Sequence, residues 1–411
     1  VSAEANDRDR LSRTLTFLLA GGQGERLYPL TRERAKPSVP FGGIYRIVDF
    51  TLSNCINCGL RQVFVLTQYR SSSLDHHIQS GWSILSQELG EFVFTLPPQH
   101  RLADNWYRGT ADAILQNTFL LEEHRPERVL IVSGDHIYKM DYAKMIEAHC
   151  AKNAGLTIAC IDVPLSEATS LGVIEADADN KIVGFEEKPE HPRPSPADPN
   201  SALASMGVYI FDTDVLVRAI SEDAKRDTAH DFGKNIIPDL VSTGRVYAHN
   251  FSDSNRSSEV YWRDIGQLDA YWQCHMDLLD SNPPLDLHDS SWQIRSYHEP
   301  SPPAAFLSGE SSGSTEDCIV GGGCRFEGCT LSRSVFSHNV VVDPGAHIEG
   351  TIVMERSHIG RDARIRNAII DKDVVIPAGA TIGYDPEKDR AQFKVTDGGI
   401  VVIPKGYVLQ T

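Results

Sequence analysis

Apolar residues follow two unlike patterns along this chain, and the pattern changes near residue 285. Ahead of that point, short unbroken apolar runs alternate with stretches of helical spacing. Residues 15–20, 63–67, 129–133, 156–163 and 207–211 read as strands, since short runs without polar interruption suit strands covered on both faces. Residues 52–59, 111–123 and 142–153 read as helices. Strand, helix, strand in this rhythm predicts an α/β domain of Rossmann-like form, with a mostly parallel sheet and helices on both faces.

Beyond residue 285 the spacing shortens. Ile359, Ile365, Ile370, Ile376 and Ile382 recur at steps of five or six residues, and the pattern extends back less regularly through Val335, Val341, Ile348 and Val353. An aliphatic residue every six positions, with Gly, Ala or Asp at the turns, is the hexapeptide pattern of a left-handed parallel β-helix. Between the two patterns, His298-Glu-Pro-Ser-Pro-Pro303 and Ser308-Gly-Glu-Ser-Ser-Gly-Ser314 have turn and linker chemistry. The expected division is a catalytic domain over 1–285, a linker over 286–316 and a β-helix over 317–411.

Composition narrows the function classes. The 411 residues are enough for two buried cores, and a net charge of -17 argues against general binding to nucleic acid or membrane surfaces. A phosphate site in such a protein is expected to be a local basic pocket. No apolar run approaches membrane-spanning length, and the first residues lack a signal pattern. Eight scattered cysteines form no disulfide framework, and Cys55-x-x-Cys58 has no second such pair to complete a metal site. A reduced, cytoplasmic protein is expected.

Three stretches carry candidate chemistry. Gly21-Gly-Gln-Gly24 follows the first strand and leads to Arg26; glycines let backbone N–H groups approach an anion, and Arg26 adds a forked donor. The turn lacks the third glycine of a dinucleotide fingerprint and the Gly-Lys-Ser/Thr of a P-loop. Asp135 follows another strand in Ser133-Gly-Asp-His136, so it is expected on the same rim of the sheet as the glycine turn. Lys188, in Phe185-Glu-Glu-Lys-Pro189, ends a predicted strand beside two carboxylates. Together they suit nucleotide chemistry on a phosphorylated partner. If a sugar 1-phosphate attacks a nucleoside triphosphate, the nucleophile is already ionised and needs no general base. The obstacles are anion repulsion and charge on the leaving pyrophosphate, which positioning, a divalent metal and fixed cations relieve. Asp135 and Asp264 are the best carboxylates for Mg²⁺. Arg26 and Lys36 would face the triphosphate and Lys188 the sugar phosphate. Each has a plainer alternative: Asp135 or Asp264 as helix caps, Lys188 as a surface partner of Glu186 or Glu187, and Lys36-Pro37 as an ordinary turn.

Gly21-Gly-Gln-Gly-Glu-Arg-Leu27, Arg34-Ala-Lys-Pro37, Phe41-Gly-Gly43 and Asp49-Phe-Thr-Leu-Ser-Asn54 resemble the sugar-nucleotide pyrophosphorylases. Leu66-Thr-Gln-Tyr69, Asn105-Trp-Tyr-Arg-Gly-Thr-Ala-Asp-Ala113, Phe185 to Pro189 and Ser205-Met-Gly-Val-Tyr209 are similar to the bacterial ADP-glucose pyrophosphorylases within them. The resemblance covers nearly the whole chain. It implies a nucleotidyltransferase that makes ADP-glucose and pyrophosphate from ATP and glucose 1-phosphate with Mg²⁺, at the control point of glycogen synthesis. It implies that Leu19, Gly21, Gly22, Gly24, Arg26, Lys36, Gln99, Gly109, Thr110 and Ala111 serve the nucleotide. Thr110 ahead of Ala111 is expected to cap a helix whose free amides face an anion. Tyr107, Gly172, Glu187, Lys188, Ser205, Asp231, Phe232 and Trp262 correspond to the glucose 1-phosphate side, and Asp135 and Asp264 to the metal pair.

The resemblance further implies a homotetramer controlled by anionic metabolites, with an AMP or phosphate type inhibitor. Arg34, Arg46, Lys372 and Lys405 loosely match the effector positions, and each reads equally well as a solvated surface cation. Glu33 stands where some relatives carry lysine, which points to a fructose 6-phosphate or pyruvate type activator over a sugar bisphosphate. Three rivals remain at this stage. One is an acyltransferase using His338, His347 or His358; another is a non-catalytic regulatory subunit; the third is the same reaction with dTTP, UTP or GTP.

Overall fold

The apolar run that opens the domain becomes the centre of its sheet. In a computed structural model that describes residues 8–98, 106–195, 198–242, 244–251, 260–308 and 313–408, strand β1 (Thr14–Ala20) is almost wholly buried. It lies parallel between β2 (Gln62–Thr67) and β4 (Arg128–Ser133), and β3 (Phe92–Leu96) extends the parallel run beyond β2. Leu18 sits opposite Val65 on one side and Val132 on the other. One face of this sheet buries Phe17, Phe64 and Ile131, and the other buries Leu18, Val65 and Val132. That double covering is why these runs show no polar alternation.

The parallel rhythm stops at β4. The strands β5 (Leu156–Pro164), β6 (Gly172–Ala176), β7 (Ile182–Glu187) and β8 (Ser201–Asp212) follow, with β9 (Val246–Asn250) after them. The twelve-residue β8 runs antiparallel to β4, β5 and β6, and β7 is antiparallel to β6. Only β9 with β5 restores a parallel pair. The sheet is therefore parallel where the glycine turn and Asp135 emerge and antiparallel where the Lys188 segment emerges. The helix expected over 111–123 is two short helices, Thr110–Leu115 and Phe119–His124.

The helix Ile47–Asn57 contributes Asp49 and Asn54 to the interior as connectors. Asp49 accepts hydrogen bonds from the Arg46 amide (2.8 Å), Trp82 Nε1 (2.9 Å) and Ser296 Oγ (2.6 Å), and pairs with His77 Nε2 (2.6 Å). Asn54 Oδ1 accepts from the Met140 amide and Trp292 Nε1, while its amide donates to the Tyr138 carbonyl. A fully buried carboxylate is tolerable only with such a complete set of donors. This motif therefore fastens residues 286–296 to the first domain.

The hexapeptide pattern forms a parallel β-helix whose coils repeat every 17 residues. Leu331, Ile348, Ile365 and Ile382 stack in one column, and Phe326, Val342, Ile359 and Ile376 in another. The third column, Phe336, Val353 and Ile370, reaches Ile403 only after an insertion that includes the helix Pro386–Gln392. The stretch expected as a linker contains one strand of this domain and the start of another: Ala305–Leu307 pairs with Arg325–Glu327, and Ser314–Val320 pairs with Thr330–Phe336. Their sequence carries too few aliphatics to announce a coil, but the coil after them supplies the pairing partners. One β-helix face packs on the first domain, with Val335, Ile352, Ile369 and Val402 meeting Phe41, Tyr271 and Leu278 in a continuous core.

Candidate active site

Three strand ends converge on one cavity of about 420 Å³. The turn after β1 contributes Leu19, Gly21 and Gly22; the end of β2 contributes Gln68; the end of β4 contributes Ser133 and Asp135. Lys36, Tyr107, Gly109, Thr110 and Asp231 complete the part of the lining that bears on the chemistry. The glycine turn has a local reason. Gly24 adopts φ +66°, and a Cβ there would lie 2.9 Å from Lys36 Cβ and 3.0 Å from Thr31 Cγ2, so only glycine lets the Lys36 stem pass beneath it. Thr31 Oγ1 holds the turn by donating to the Gly24 carbonyl at 2.9 Å.

Lys36 is the hub of the charged cluster. Its Nζ lies 3.0 Å from Asp135 Oδ2 and 2.7 Å from Asp264 Oδ1, with the side chain 9 % exposed. Burial disfavours its charge, but Asp135 and Asp264 more than offset that and hold its pKa above the ordinary lysine value. Burial likewise opposes the charge of Asp135, yet Lys36 and then His136 pull its pKa well below the usual carboxylate range. Asp135 also accepts a hydrogen bond from Ser133 Oγ. His136 Nε2 lies 3.4 Å from Asp135 Oδ1 and 4.0 Å from Asp264 Oδ1. Donor atoms of Asp135, His136 and Asp264 all fall within 4.8 Å of one another. Two partly exposed carboxylates this close, one of them lining the cavity, fit a hard divalent cation that keeps part of its oxygen shell for substrate. Asp264 reaches the cluster because its strand, Trp262–Asp264, pairs with His136–Tyr138. It caps no helix: the helix that follows, Leu268–Asp277, has Gln267 at its N-cap. Arg26 is exposed, with its guanidinium against Gly266 beside Asp264.

The residues expected on the sugar side form a second group along β6, β7 and β8. Gly172 backs directly onto Phe185 and the Glu187 carboxylate. Burial pushes the Glu187 carboxyl up, Lys188 counters it, and nearby Asp231 pushes it further. Lys188 is mostly exposed, 3.6 Å from Glu187, in a left-handed backbone conformation (φ 52°) that turns it out of the strand. Ser205 accepts from the Gly207 amide at 3.3 Å, and the space above Gly207 holds the His136 ring. Trp262 is 5 % exposed and packs edge-on against His136 at 5.0 Å. Phe232 is buried against Tyr209 and Phe211, so it is a core residue, while Asp231 caps the turn after it by accepting from the Lys234 amide at 3.1 Å. Tyr107 hydroxyl accepts from Asn117 Nδ2 at 3.1 Å.

One expectation fails on geometry. Thr110 is not a helix cap, and the amides at that helix start are not free for an anion. Ala111 and Asp112 donate to the His230 carbonyl, and Thr110 Oγ1 is bound between Asp231 Oδ2 and the Phe232 amide, both at 3.0 Å. The chain at 230–232 has taken the place assigned to phosphate. Gln99 lies outside the described residues. Gln68, Ser133 and His136 stand within motifs read from the sequence but carry no role of their own there. Each sits at or just past a strand end, so the rule that placed Asp135 on the rim was the available signal.

The effector candidates gather in a separate cavity of about 290 Å³ between the two domains. Each cation there is already engaged. Arg34, 4 % exposed, donates from Nη2 to both Asp371 oxygens (2.7 and 2.9 Å); Lys372 meets Glu355 at 2.7 Å; Lys405 meets Glu33 at 2.9 Å. Arg46 donates to the Ser73 carbonyl at 2.7 Å, and burial lowers its pKa despite nearby Glu355 and Asp49. Of the four, Arg34 and Lys372, whose side chains are 5 % and 12 % exposed, are not solvated surface cations.

A strand-end glycine turn and a buried lysine on one cavity, with a carboxylate pair bound to that lysine, are the parts a nucleotidyltransferase needs. A nucleotidyl transferase family model matches residues 15–281, and a GlmU-like C-terminal hexapeptide model matches 302–403. The chain is 48 % identical to the glucose-1-phosphate adenylyltransferase of Koribacter versatilis, covering 96 % of each protein. It is 46 % identical to that of Paramagnetospirillum magneticum over 98 % of this chain and 95 % of the relative. It is also 46 % identical to glucose-1-phosphate adenylyltransferase 2 of Vibrio cholerae, over 97 % and 99 %. The chain belongs to the glucose-1-phosphate adenylyltransferase family.

Proposed function

We propose that the protein transfers the adenylyl group of ATP to glucose 1-phosphate, releasing pyrophosphate and forming ADP-glucose for glycogen synthesis. A phosphate oxygen of the sugar phosphate forms the new bond to the α-phosphorus, the bond to the β-phosphate oxygen breaks, and its electron pair leaves with pyrophosphate. No proton transfer is needed at the nucleophile. The observation that carries the reading is the Lys36–Asp135–Asp264 cluster at the mouth of the glycine turn. Asp135 and Asp264 would hold Mg²⁺, which supplies charge neutralisation to the triphosphate. Gly21 and Gly22 offer backbone N–H groups, and Arg26 and Lys36 offer fixed charge where charge develops on the leaving group. Lys188, free to swing from an exposed position beside Glu187, meets the sugar phosphate, and Glu187 the sugar hydroxyls.

We read the interdomain cavity as the seat of a fructose 6-phosphate or pyruvate type activator and an AMP or phosphate type inhibitor, in a homotetramer working in the cytoplasm. There an anion would compete with Glu33, Glu355 and Asp371 for their cations, and so loosen or tighten the contact between domains. None of the described helices is long and apolar enough to cross a membrane, and all eight cysteines are free thiols. The test is pyrophosphate release with Mg²⁺ and glucose 1-phosphate across ATP, UTP, dTTP and GTP. A clear preference for ATP is expected; preference for another nucleotide would overturn the substrate, and no release with any would overturn the activity.

A further inference from the structure

The Asp135–Asp264 pair already has a cation of its own. We propose that Lys36 is the resident counter-ion of this pair in the free enzyme and is exchanged for the divalent cation when the nucleotide arrives, turning its ammonium to the phosphates. The inference rests on the reading of Asp135 and Asp264 as cation ligands given above. Lys36 Nζ bonds one oxygen of each, Asp135 Oδ2 at 3.0 Å and Asp264 Oδ1 at 2.7 Å. The same Asp264 Oδ1 also lies 4.0 Å from His136 Nε2, so it faces the space enclosed by the three cation-binding candidates. A hard divalent ion on these oxygens would sit about 2.1 Å from each, which leaves the ammonium in contact with it. Two positive charges on the same carboxylate oxygens repel, which disfavours joint occupancy of the pair.

The surroundings permit the exchange. Pro37 and the short turn Lys36–Ser38 hold the backbone, so only side-chain torsions need change. The Lys36 stem lies against Gly24 under the glycine turn, and Lys36 lines the same cavity as Gly21 and Gly22. Rotation therefore carries Nζ from the carboxylates toward the phosphates without leaving the cavity. Loss of the ammonium from the pair is compensated by the incoming ion, and loss of the carboxylates from Lys36 is compensated by the triphosphate. Neither half is favourable alone. The consequence is that this acidic protein loads free divalent ions only weakly at its active site; the cation enters chiefly with the nucleotide.

The probe is Mn²⁺ alone, titrated into the full-length protein and followed by electron paramagnetic resonance, then repeated with a non-hydrolysable ATP analogue. Wild type should bind Mn²⁺ weakly without nucleotide, and Lys36→Met should bind it about tenfold more tightly or better. Lys36→Gln, which keeps a neutral donor, serves the same purpose if the methionine variant does not fold. Adding Asp135→Asn to either variant should abolish the gain. If the Lys36 variants bind Mn²⁺ no more tightly than wild type while Asp135→Asn and Asp264→Asn still weaken Mn²⁺ binding with the analogue, the exchange is wrong and the carboxylate assignment stands. If the two Asp variants bind Mn²⁺ and analogue like wild type, the carboxylate assignment fails and takes the exchange with it.

Discussion

Arg34 and Asp371 are 337 positions apart and form a buried ion pair between the first domain and the β-helix, with side chains 5 % and 1 % exposed. Burial pushes the Asp371 carboxyl up, and Arg34 with the Lys372 amide only partly offsets it. Desolvation is therefore the larger effect, so the pair holds the domains in register more than it stabilises them. Removing one partner leaves a dehydrated charge alone and costs about 3–5 kcal/mol. Arg34→Met or Asp371→Leu should each lower the thermal midpoint by about 5 °C, taking 411 residues that melt together at roughly 2 cal/mol/K per residue. Arg34→Met with Asp371→Leu removes both charges and should recover most of the loss, because two apolar groups of similar volume need no partner. The assay is differential scanning calorimetry of the four proteins at one scan rate, with pyrophosphate release measured alongside. A shift below about 1 °C for both single variants, or a double variant as unstable as their sum, would refute the argument. The same series separates roles at Arg34: a stable double variant that no longer responds to effectors would tie the residue to regulation as well as to docking.

Lys188→Ala should raise the KM for glucose 1-phosphate by about tenfold or more and that for ATP by under about threefold, as steady-state kinetics with each substrate varied would read; equal effects would sink the assignment. His275 accepts from the Gly42 amide (3.1 Å) through Nε2 and is fully buried, which lowers its pKa from 6.5 to about 4. A histidine with a depressed native pKa contributes stability above its unfolded value and loses it as pH falls. Denaturant titrations should show about 3 kcal/mol lost between pH 6.5 and 4, a slope that His275→Gln flattens; an unchanged slope would refute it. Gly109→Ala would drive a methyl into the Ala229 and His230 carbonyls, displacing the segment that carries Asp231. Its expected result is lost turnover with a near-native circular dichroism spectrum, and full activity would show that the segment is not part of the site.

Local order decided much of what was legible in advance. An apolar run that needs no polar face is legible because both faces of β1, β2 and β4 are covered. The β-helix is legible because Ile359, Ile365, Ile370, Ile376 and Ile382 recur at steps of five or six residues and stack on successive faces. The glycine turn and Asp135 stand directly after strands, and strand ends of a parallel sheet share a rim, so their proximity followed from order alone. Tertiary structure decided what depends on partners distant in sequence. Thr110 lost its capping role because residues 230–232 fold across it. Strand Ala305–Leu307 reads as linker until the next coil offers it a ladder. Arg34 reads as a surface charge until Asp371 arrives from the far end of the chain. Lys36, a lysine before a proline, becomes the centre of the site only when two carboxylates 99 and 228 positions away close on it. A charge in sequence has no sign of its surroundings; desolvation and pairing are properties of the folded space around it.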